Sequence, residues 1–97
     1  MTNYRRLKIQ GATYFFTLVL NERENSNLLI DHFQLLKFSI HKVKLKFPFQ
    51  LVAMVVLPDH LHVIVSLPKN DEDYSVRIRL IKTYFSKALG VETSLSR

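Results

Sequence analysis

The chain has 97 residues, with 14 Lys and Arg against eight Asp and Glu, and it contains no cysteine. The lack of cysteine excludes a disulfide scaffold and a thiolate zinc site, and no apolar run reaches the roughly 18 residues that span a bilayer. Residues 1–97 are therefore expected to form one cytoplasmic domain without a membrane partner, and the net charge of +6 favours a polyanion such as nucleic acid.

The first half of the chain predicts a strand and then a helix. The strand is the aromatic and β-branched run from Thr13 to Leu20, and the polar residues 21–27 after it predict a loop. Asp31 and Gln34 have the spacing of a capping box, which marks the start of the helix. Its apolar residues recur at spacings of three and four, and they are Phe33, Leu36, Ile40, Val43 and Phe47.

The second half predicts two strands and a second helix. Residues 49–57 are apolar on both faces, which indicates a strand in the centre of a sheet. Pro58 and Asp59 predict a turn into an antiparallel third strand. Ser75 is expected to cap the second helix, which should end at Gly90. The apolar stripe of this helix is formed by Ile78, Ile81, Phe85 and Leu89.

The order strand-helix-strand-strand-helix indicates an α+β protein, the front part of a ferredoxin-like sandwich with both helices on one face of an antiparallel sheet. Side chains alternate between the two faces of a strand. The third strand should therefore turn Leu61, Val63, Val65 and Leu67 towards the helices. The opposite face, which no predicted element covers, should carry His60, His62, Ile64 and Ser66.

Two histidines on this strand are the first candidate functional residues. His60 and His62 are separated by one residue, so both imidazoles point to the same face and can bind one divalent cation. The alternative is that they are two polar residues on an exposed sheet face. Asp59 beside them is a turn residue that can also serve as an outer-shell group of the metal site.

Four segments in order resemble one known protein family. They are Asn3-Tyr4-Arg5-Arg6, Gly11-Ala12-Thr13-Tyr14-Phe15-Phe16-Thr17, Val55-Val56-Leu57-Pro58-Asp59-His60-Leu61-His62, and Arg79-Leu80-Ile81-Lys82 with Phe85-Ser86. Together they resemble the REP-associated tyrosine transposases, within the single-tyrosine HUH transposases. The resemblance covers about residues 3 to 90. The histidine triplet alone is short, and the complete series is much more specific.

The resemblance implies that His60 and His62 hold a divalent cation, Mg²⁺ or Mn²⁺. It also implies that a tyrosine attacks a scissile phosphate in single-stranded or hairpin DNA and forms a phosphotyrosine link. In this chain the metal is expected to bind weakly or to leave the site vacant, because two ligands hold Mg²⁺ poorly and this ion prefers oxygen donors.

The resemblance also implies an incomplete enzyme. In the family the nucleophilic tyrosine lies on a helix after the second helix, whereas this sequence ends at Arg97. The chain is therefore expected to be truncated before the final strand and the catalytic helix, so no catalytic residue is identified and the chain is expected to be catalytically impaired. Tyr84 is the only tyrosine in a predicted helix, but it does not occupy the nucleophile's place in the family pattern.

Basic residues are the second set of candidates. Arg5, Arg6 and Lys8 form an amino-terminal arm, which the resemblance places near the base of a DNA hairpin. Arg79 and Lys82 share a helical face with Ser86 and are expected to contact phosphates; the alternative for both groups is a solvated surface. Two other functions stay open: a nucleic-acid-binding module without a metal, and an inactive remnant that forms a homodimer through its uncovered sheet face or edge.

Overall fold

A computed structural model describes residues 9–20, 27–90 and 95–96 of the chain. The elements are β1 Thr13–Leu20, α1 Leu28–Asp31, α2 Phe33–Lys46, β2 Gln50–Val56, β3 His60–Ser66, α3 Tyr74–Leu89 and β4 Leu95–Ser96. The strands pair antiparallel in one sheet of order β2-β3-β1-β4. The predicted α+β class is confirmed, and with the exception of the additional four-residue helix α1 the elements follow the β-α-β-β-α-β order of ferredoxin-like domains.

The two faces of the sheet differ in burial, as the alternation in β3 predicts. Leu61, Val63 and Val65 are buried, whereas His60 and His62 on the opposite face are only partly covered. The buried side chains of β1 and β3 pack against α2 and α3 in a single hydrophobic core. The helices therefore cover one face, and the other face, which carries the histidines, is called the open face below.

The helix starts differ from the prediction. Asp31 is the last residue of the short α1, and α2 begins after a break at His32 with no side-chain cap, so the predicted capping box is wrong. The cap of α3 is Asp73, whose carboxylate accepts a hydrogen bond from the backbone N–H of Val76 at 3.1 Å. Ser75 lies inside α3 because the Asp73 carboxylate reaches the first turn two residues earlier.

The predicted central position of β2 is also wrong. Within the described chain β2 pairs with β3 alone and forms the edge of the sheet. Val52 and Val55 are exposed, and a bulge interrupts the pairing between Leu51 and Ala53. Apolar residues on both faces are typical of central strands, but the position of a strand in a sheet depends on which neighbours it acquires.

The structure contains a strand that the sequence did not predict. Leu95–Ser96 forms β4, which pairs with the last two residues of β1, Val19 and Leu20. The expectation that the chain stops before the final strand is thus corrected, because a fourth strand begins beside β1. Two residues are too few to show an alternating pattern, so this strand could not be predicted from side-chain periodicity. Across the described ranges no helix combines the length and apolar character needed to cross a membrane.

A buried arginine joins α3 to two loops. The side chain of Arg77 is only 3% exposed. Its Nη2 donates to the carbonyl of Pro48 and to Oδ2 of Asp71, each at 2.8 Å, and its Nη1 donates to the carbonyl of Asp73 at 2.7 Å. Its Nε donates to the carbonyls of Phe47 and Pro48. Arg77 thereby fixes the α2–β2 and β3–α3 connections to each other.

The contact with Arg77 changes the pKa of the Asp71 carboxyl group. The hydrogen bonds from Arg77 lower the pKa of Asp71 below its usual value, with a further contribution from the backbone N–H of Asp73 and the positive charge of Arg77. Burial acts in the opposite direction and is outweighed. The ionised form of Asp71 is therefore favoured by the fold.

Candidate metal and nucleic-acid site

The turn between β2 and β3 sets the position of the first histidine. The N–H of Leu57 donates to the carbonyl of His60 at 2.8 Å and closes the turn. The carbonyls of Pro58 and Asp59 accept from the N–H groups of Leu29 and Leu20, respectively. These bonds tie the turn to α1 and to the end of β1. The backbone of His60, the first residue of β3, therefore has a fixed position and direction.

The two imidazoles lie next to each other on the open face. Their ring centroids are 5.1 Å apart and the rings are nearly perpendicular. Nδ1 of His60 is 2.8 Å from Oδ1 of Asp59, and each of these two side chains is 26% exposed. Since a carboxylate can only accept, Nδ1 of His60 is the donor, and in the neutral ring Nε2 then carries the lone pair.

His62 has neighbours on β1. Its Nδ1 lies 2.9 Å from the hydroxyl of Thr17, the residue paired with it across the two strands. The ring of Phe15 stacks on the imidazole at a centroid distance of 5.6 Å. A hydrogen bond at Nδ1 and a stacked ring thus restrict the orientation of His62, and Nε2 is the ring nitrogen that could bind a metal ion.

This donor set fits part of a metal site. Imidazole nitrogens bind divalent transition ions well, and a carboxylate behind one ring is a common outer-shell arrangement. In the part of the chain that the structure describes, however, no group of three or more His, Cys, Asp or Glu residues could hold a metal ion. Within the described residues, His60 and His62 therefore supply two of the ligands that a divalent cation would need.

The predicted nucleic-acid contacts lie elsewhere. Arg79 is exposed and Lys82 is partly covered, both on α3. The helices cover the sheet face opposite to the histidines, so the fold does not bring these two cations to the imidazoles. Arg5, Arg6 and Lys8 lie outside the described residues.

The described tyrosines also lie away from the histidines. Tyr14 is buried on the helix-covered face, where its hydroxyl accepts from the N–H of Ile9 at 2.9 Å, and it packs on Tyr74. Tyr84 of α3 is half-buried, with the ammonium of Lys42 at 4.7 Å from its ring centroid. Among residues 9–20 and 27–90, no tyrosine lies on the open face beside the imidazoles.

Sequence reasoning missed Thr17 and Phe15. Both occupy alternate positions of β1 and so share the open face, a signal that was readable from the predicted strand. Their contact with His62 depends on β1 pairing directly with β3, which the alternation within one strand cannot reveal.

The arrangement defines a class: an α+β domain of ferredoxin-like element order whose open sheet face carries a His-hydrophobic-His pair, as the HUH resemblance implies. No protein-family model matches the chain. A REP-associated tyrosine transposase of Escherichia coli strain K12 is 47% identical over 92 residues, which are 95% of this chain and 55% of that protein. A Haemophilus influenzae protein assigned provisionally to the same family is 40% identical over 92 residues, 95% of this chain and 52% of its own length.

A solved structure agrees with the sequence comparison. It is a REP-associated tyrosine transposase bound to a REP hairpin, and it superposes with a TM-score of 0.92 at 44% identity, covering 99% of this chain and 58% of the other. The resemblance predicted from the sequence is confirmed: this chain is related to the REP-associated tyrosine transposases over nearly its whole length. It spans about half the length of the relatives that it matches.

Proposed function

We propose that the chain forms the histidine-bearing part of a DNA transposase that acts on single-stranded or hairpin DNA. The observation that carries this proposal is the pair His60 and His62, each held at Nδ1 by a neighbouring side chain and placed on a sheet face that no helix in the described residues covers. The likeness to REP-associated tyrosine transposases supports it.

His60 and His62 would hold Mg²⁺ or Mn²⁺, and the ion when bound supplies Lewis-acid stabilisation at a phosphate oxygen. The residues of the chain do the positioning. The carboxylate of Asp59 keeps the proton on Nδ1 of His60, so that Nε2 has the lone pair that can bind the ion. The hydroxyl of Thr17 fixes the orientation of the His62 ring through its contact with Nδ1. The remaining coordination positions suit oxygen donors, which Mg²⁺ and Mn²⁺ prefer.

The partner that we propose is single-stranded or hairpin DNA. The net charge of +6 favours a polyanion, and the solved relative was bound to a REP hairpin. Arg5, Arg6 and Lys8 are proposed to contact the hairpin, with Arg79 and Lys82 contacting phosphates. A protein that acts on bacterial DNA would work in the cytoplasm.

We propose binding rather than complete strand transfer for this chain, because its described tyrosines lie away from the histidines. Tyr84 in particular is part of the helical layer. Incubation with a hairpin substrate and Mn²⁺ is expected to give no covalent protein–DNA band on a denaturing gel. A band that disappears in Tyr84→Phe would contradict this part of the proposal.

A manganese titration followed by NMR tests the metal site. Mn²⁺ is paramagnetic, so ring signals of His60 and His62 should broaden at concentrations that leave His32 and His41 on the helical side unaffected. The double variant His60→Ala/His62→Ala should abolish specific broadening, and His32→Ala/His41→Ala is the matched control. Equal broadening of all four histidines, or of none, would favour a nucleic-acid-binding module without a metal.

A hairpin-binding assay tests the DNA contacts. Replacing Arg5 and Arg6 by Ala should reduce the salt dependence of binding by up to about two phosphate contacts. The same substitutions at Arg79 and Lys82 test the helical contact separately. A salt dependence that is unchanged in both double variants would remove these residues from the interface, and sedimentation of the free chain tests the alternative of an inactive homodimer.

A further inference from the structure

A groove on the helical side of the sheet edge is lined by residues that the proposed function does not use. It has a volume of about 230 Å³ and lies between α2 and β2. Its apolar lining is Phe33, Ile40, Leu51 and Met54, and its rim carries Lys37, His41 and Lys44. This set of residues is called the basic groove below.

The bulge in β2 creates one wall of the groove. Leu51 and Met54 are three residues apart, so in a regular strand they would point to opposite faces. The extra residue inserted between Leu51 and Ala53 reverses the alternation, and both side chains turn towards α2. The wall is therefore a consequence of a local backbone feature and not of the average pattern of the strand.

The charged side chains that line the groove are all basic. Neither α2 nor α3 contains an Asp or Glu, and together they carry eight Lys and Arg residues, of which Arg77 is buried. At the rim, the ammonium of Lys37 lies 5.5 Å from the ring centroid of Phe33, and that of Lys44 lies 5.9 Å from the centroid of Phe49. Two cations thus flank an apolar floor, and this combination complements a flat apolar group attached to anionic groups.

The groove is also close to the histidines along the sheet. Met54 lines the groove, and the next residue, Val55, is exposed on the open face and paired with His62 across β2 and β3. Neighbouring strands are about 4.8 Å apart. A strand of nucleic acid that passes over the β2 edge can therefore reach both the groove and the imidazoles.

We propose that the basic groove binds one unstacked nucleotide of the single-stranded DNA that leads to the histidine pair. The base lies between Phe33 and Met54, and the flanking phosphates contact Lys37 and Lys44. The groove is smaller than the roughly 300–1,000 Å³ of pockets for drug-sized ligands, which suits a single base. The partly exposed ring of Phe33 and the thioether of Met54 offer stacking surface to any base. This inference rests on the proposed function and adds to it a subsite on the opposite side of the β2 edge.

Methionine methyl labelling tests the subsite directly, because the chain contains only Met1 and Met54. The 97-residue chain labelled at its methionine methyl groups is titrated with a short oligothymidine, while the ring signals of His60 and His62 are followed in the same samples. The Met54 methyl signal should move, through the ring current of the bound base, in step with the histidine signals.

Paired charge variants separate the groove from general surface charge. Lys37→Ala/Lys44→Ala should weaken oligothymidine binding by about tenfold and reduce the salt slope by about 1.4, the value for two single-strand phosphate contacts. Lys42→Ala/Lys46→Ala removes the same charge from the same helix and should have a much smaller effect. Equal losses in the two double variants would overturn the subsite.

The remaining outcomes distinguish this inference from the proposed function. If the histidine signals move and the Met54 signal does not, the nucleotide subsite in the basic groove is contradicted, whereas the proposal that the chain binds DNA is retained. An oligothymidine that perturbs neither set would contradict both proposals. A Met54 signal that moves with oligoglutamate but not with oligothymidine would replace the nucleotide by an acidic peptide and so overturn the inference.

Discussion

The two faces of the sheet are formed by alternate residues of the same strands, but they differ in burial and in the kind of contact that holds their side chains. On β3, Leu61 and Val63 are almost completely buried under the helices, whereas His60 and His62 on the open face keep part of their surface in contact with solvent. The buried face is stabilised by nonspecific apolar contacts, and a polar group placed there without a hydrogen-bond partner would lower the stability of the fold. The open face is held by individual contacts, such as those of Asp59 and Thr17 with the imidazoles. Stability and the candidate chemistry are therefore expected to respond to different substitutions.

The largest effect on stability is expected at Arg77. Arg77→Ala removes a buried cation and the hydrogen bonds that it donates to Asp71 and to the carbonyls of Pro48 and Asp73, so the free energy of unfolding should fall by about 3 kcal/mol. Urea unfolding measures the change. Arg79→Ala on the exposed side of the same helix is the matched control, with an expected change within about 0.5 kcal/mol. Similar losses for the two would show that burial of Arg77 is not what matters.

A pair of valines compares the two faces with the same chemical change. Val63→Ala removes buried methyl groups from the helix-covered face and should cost about 2 kcal/mol. Val55→Ala removes the same groups from an exposed position on the open face and should cost no more than about 0.5 kcal/mol. Both are measured by urea unfolding, and a larger cost at Val55 would indicate that the open face is covered in solution.

The pH dependence of stability should carry a contribution from Asp71. Its pKa is lower in the folded chain than in the unfolded chain, where it is about 4. The stabilisation is therefore complete above the unfolded pKa and is lost as the pH falls through the folded pKa. Asp71→Asn should flatten this part of the acid unfolding curve. Because Asp71 is about one-third exposed, solvent screening keeps the effect small. Asp31→Asn, which removes an exposed carboxylate of α1, is the matched control for the loss of one negative charge, and equal flattening in both variants would show that the contact with Arg77 is not the cause.

The smallest effect on stability, but a clear one on metal binding, is expected at Thr17. Thr17→Val removes the hydroxyl that holds His62 and should weaken Mn²⁺ binding by about tenfold, with little change in the free energy of unfolding. Thr17→Ser keeps the hydroxyl and should restore most of the affinity. Titration with Mn²⁺ gives both values, and equal affinities in the two variants would show that the hydroxyl does not position His62.

The sequence predicted the parts of this comparison that depend on local alternation. The two faces of β3, the apolar stripes of the long helices and the end of α3 at Gly90 all follow from side-chain periodicity and the left-handed conformation available to glycine. The histidine pair followed from the same alternation.

The features that sequence reasoning missed depend on distant partners. Arg77 resembles any other cation of an amphipathic helix, and its burial requires carbonyls that are 29 and 30 residues away. The edge position of β2 depends on which strands pair, and the contact of Thr17 with His62 depends on β1 lying beside β3. None of these pairings can be read from a single segment.

The short turn from Leu57 to His60 limits how the chain tolerates insertions and deletions. Because side chains alternate with a period of two, loss of Pro58 or Asp59 from the turn, with the pairing of β3 otherwise kept, would exchange the two sets of β3 side chains. Two imidazoles would then enter the core and the leucine and valines would face solvent. Loss of Val52 from the bulge would be far less harmful, because Leu51 would then be followed directly by Ala53 in regular alternation, and each residue would keep its face and its partner on β3. The same sheet should therefore tolerate a change of length at its edge and reject one beside the histidines.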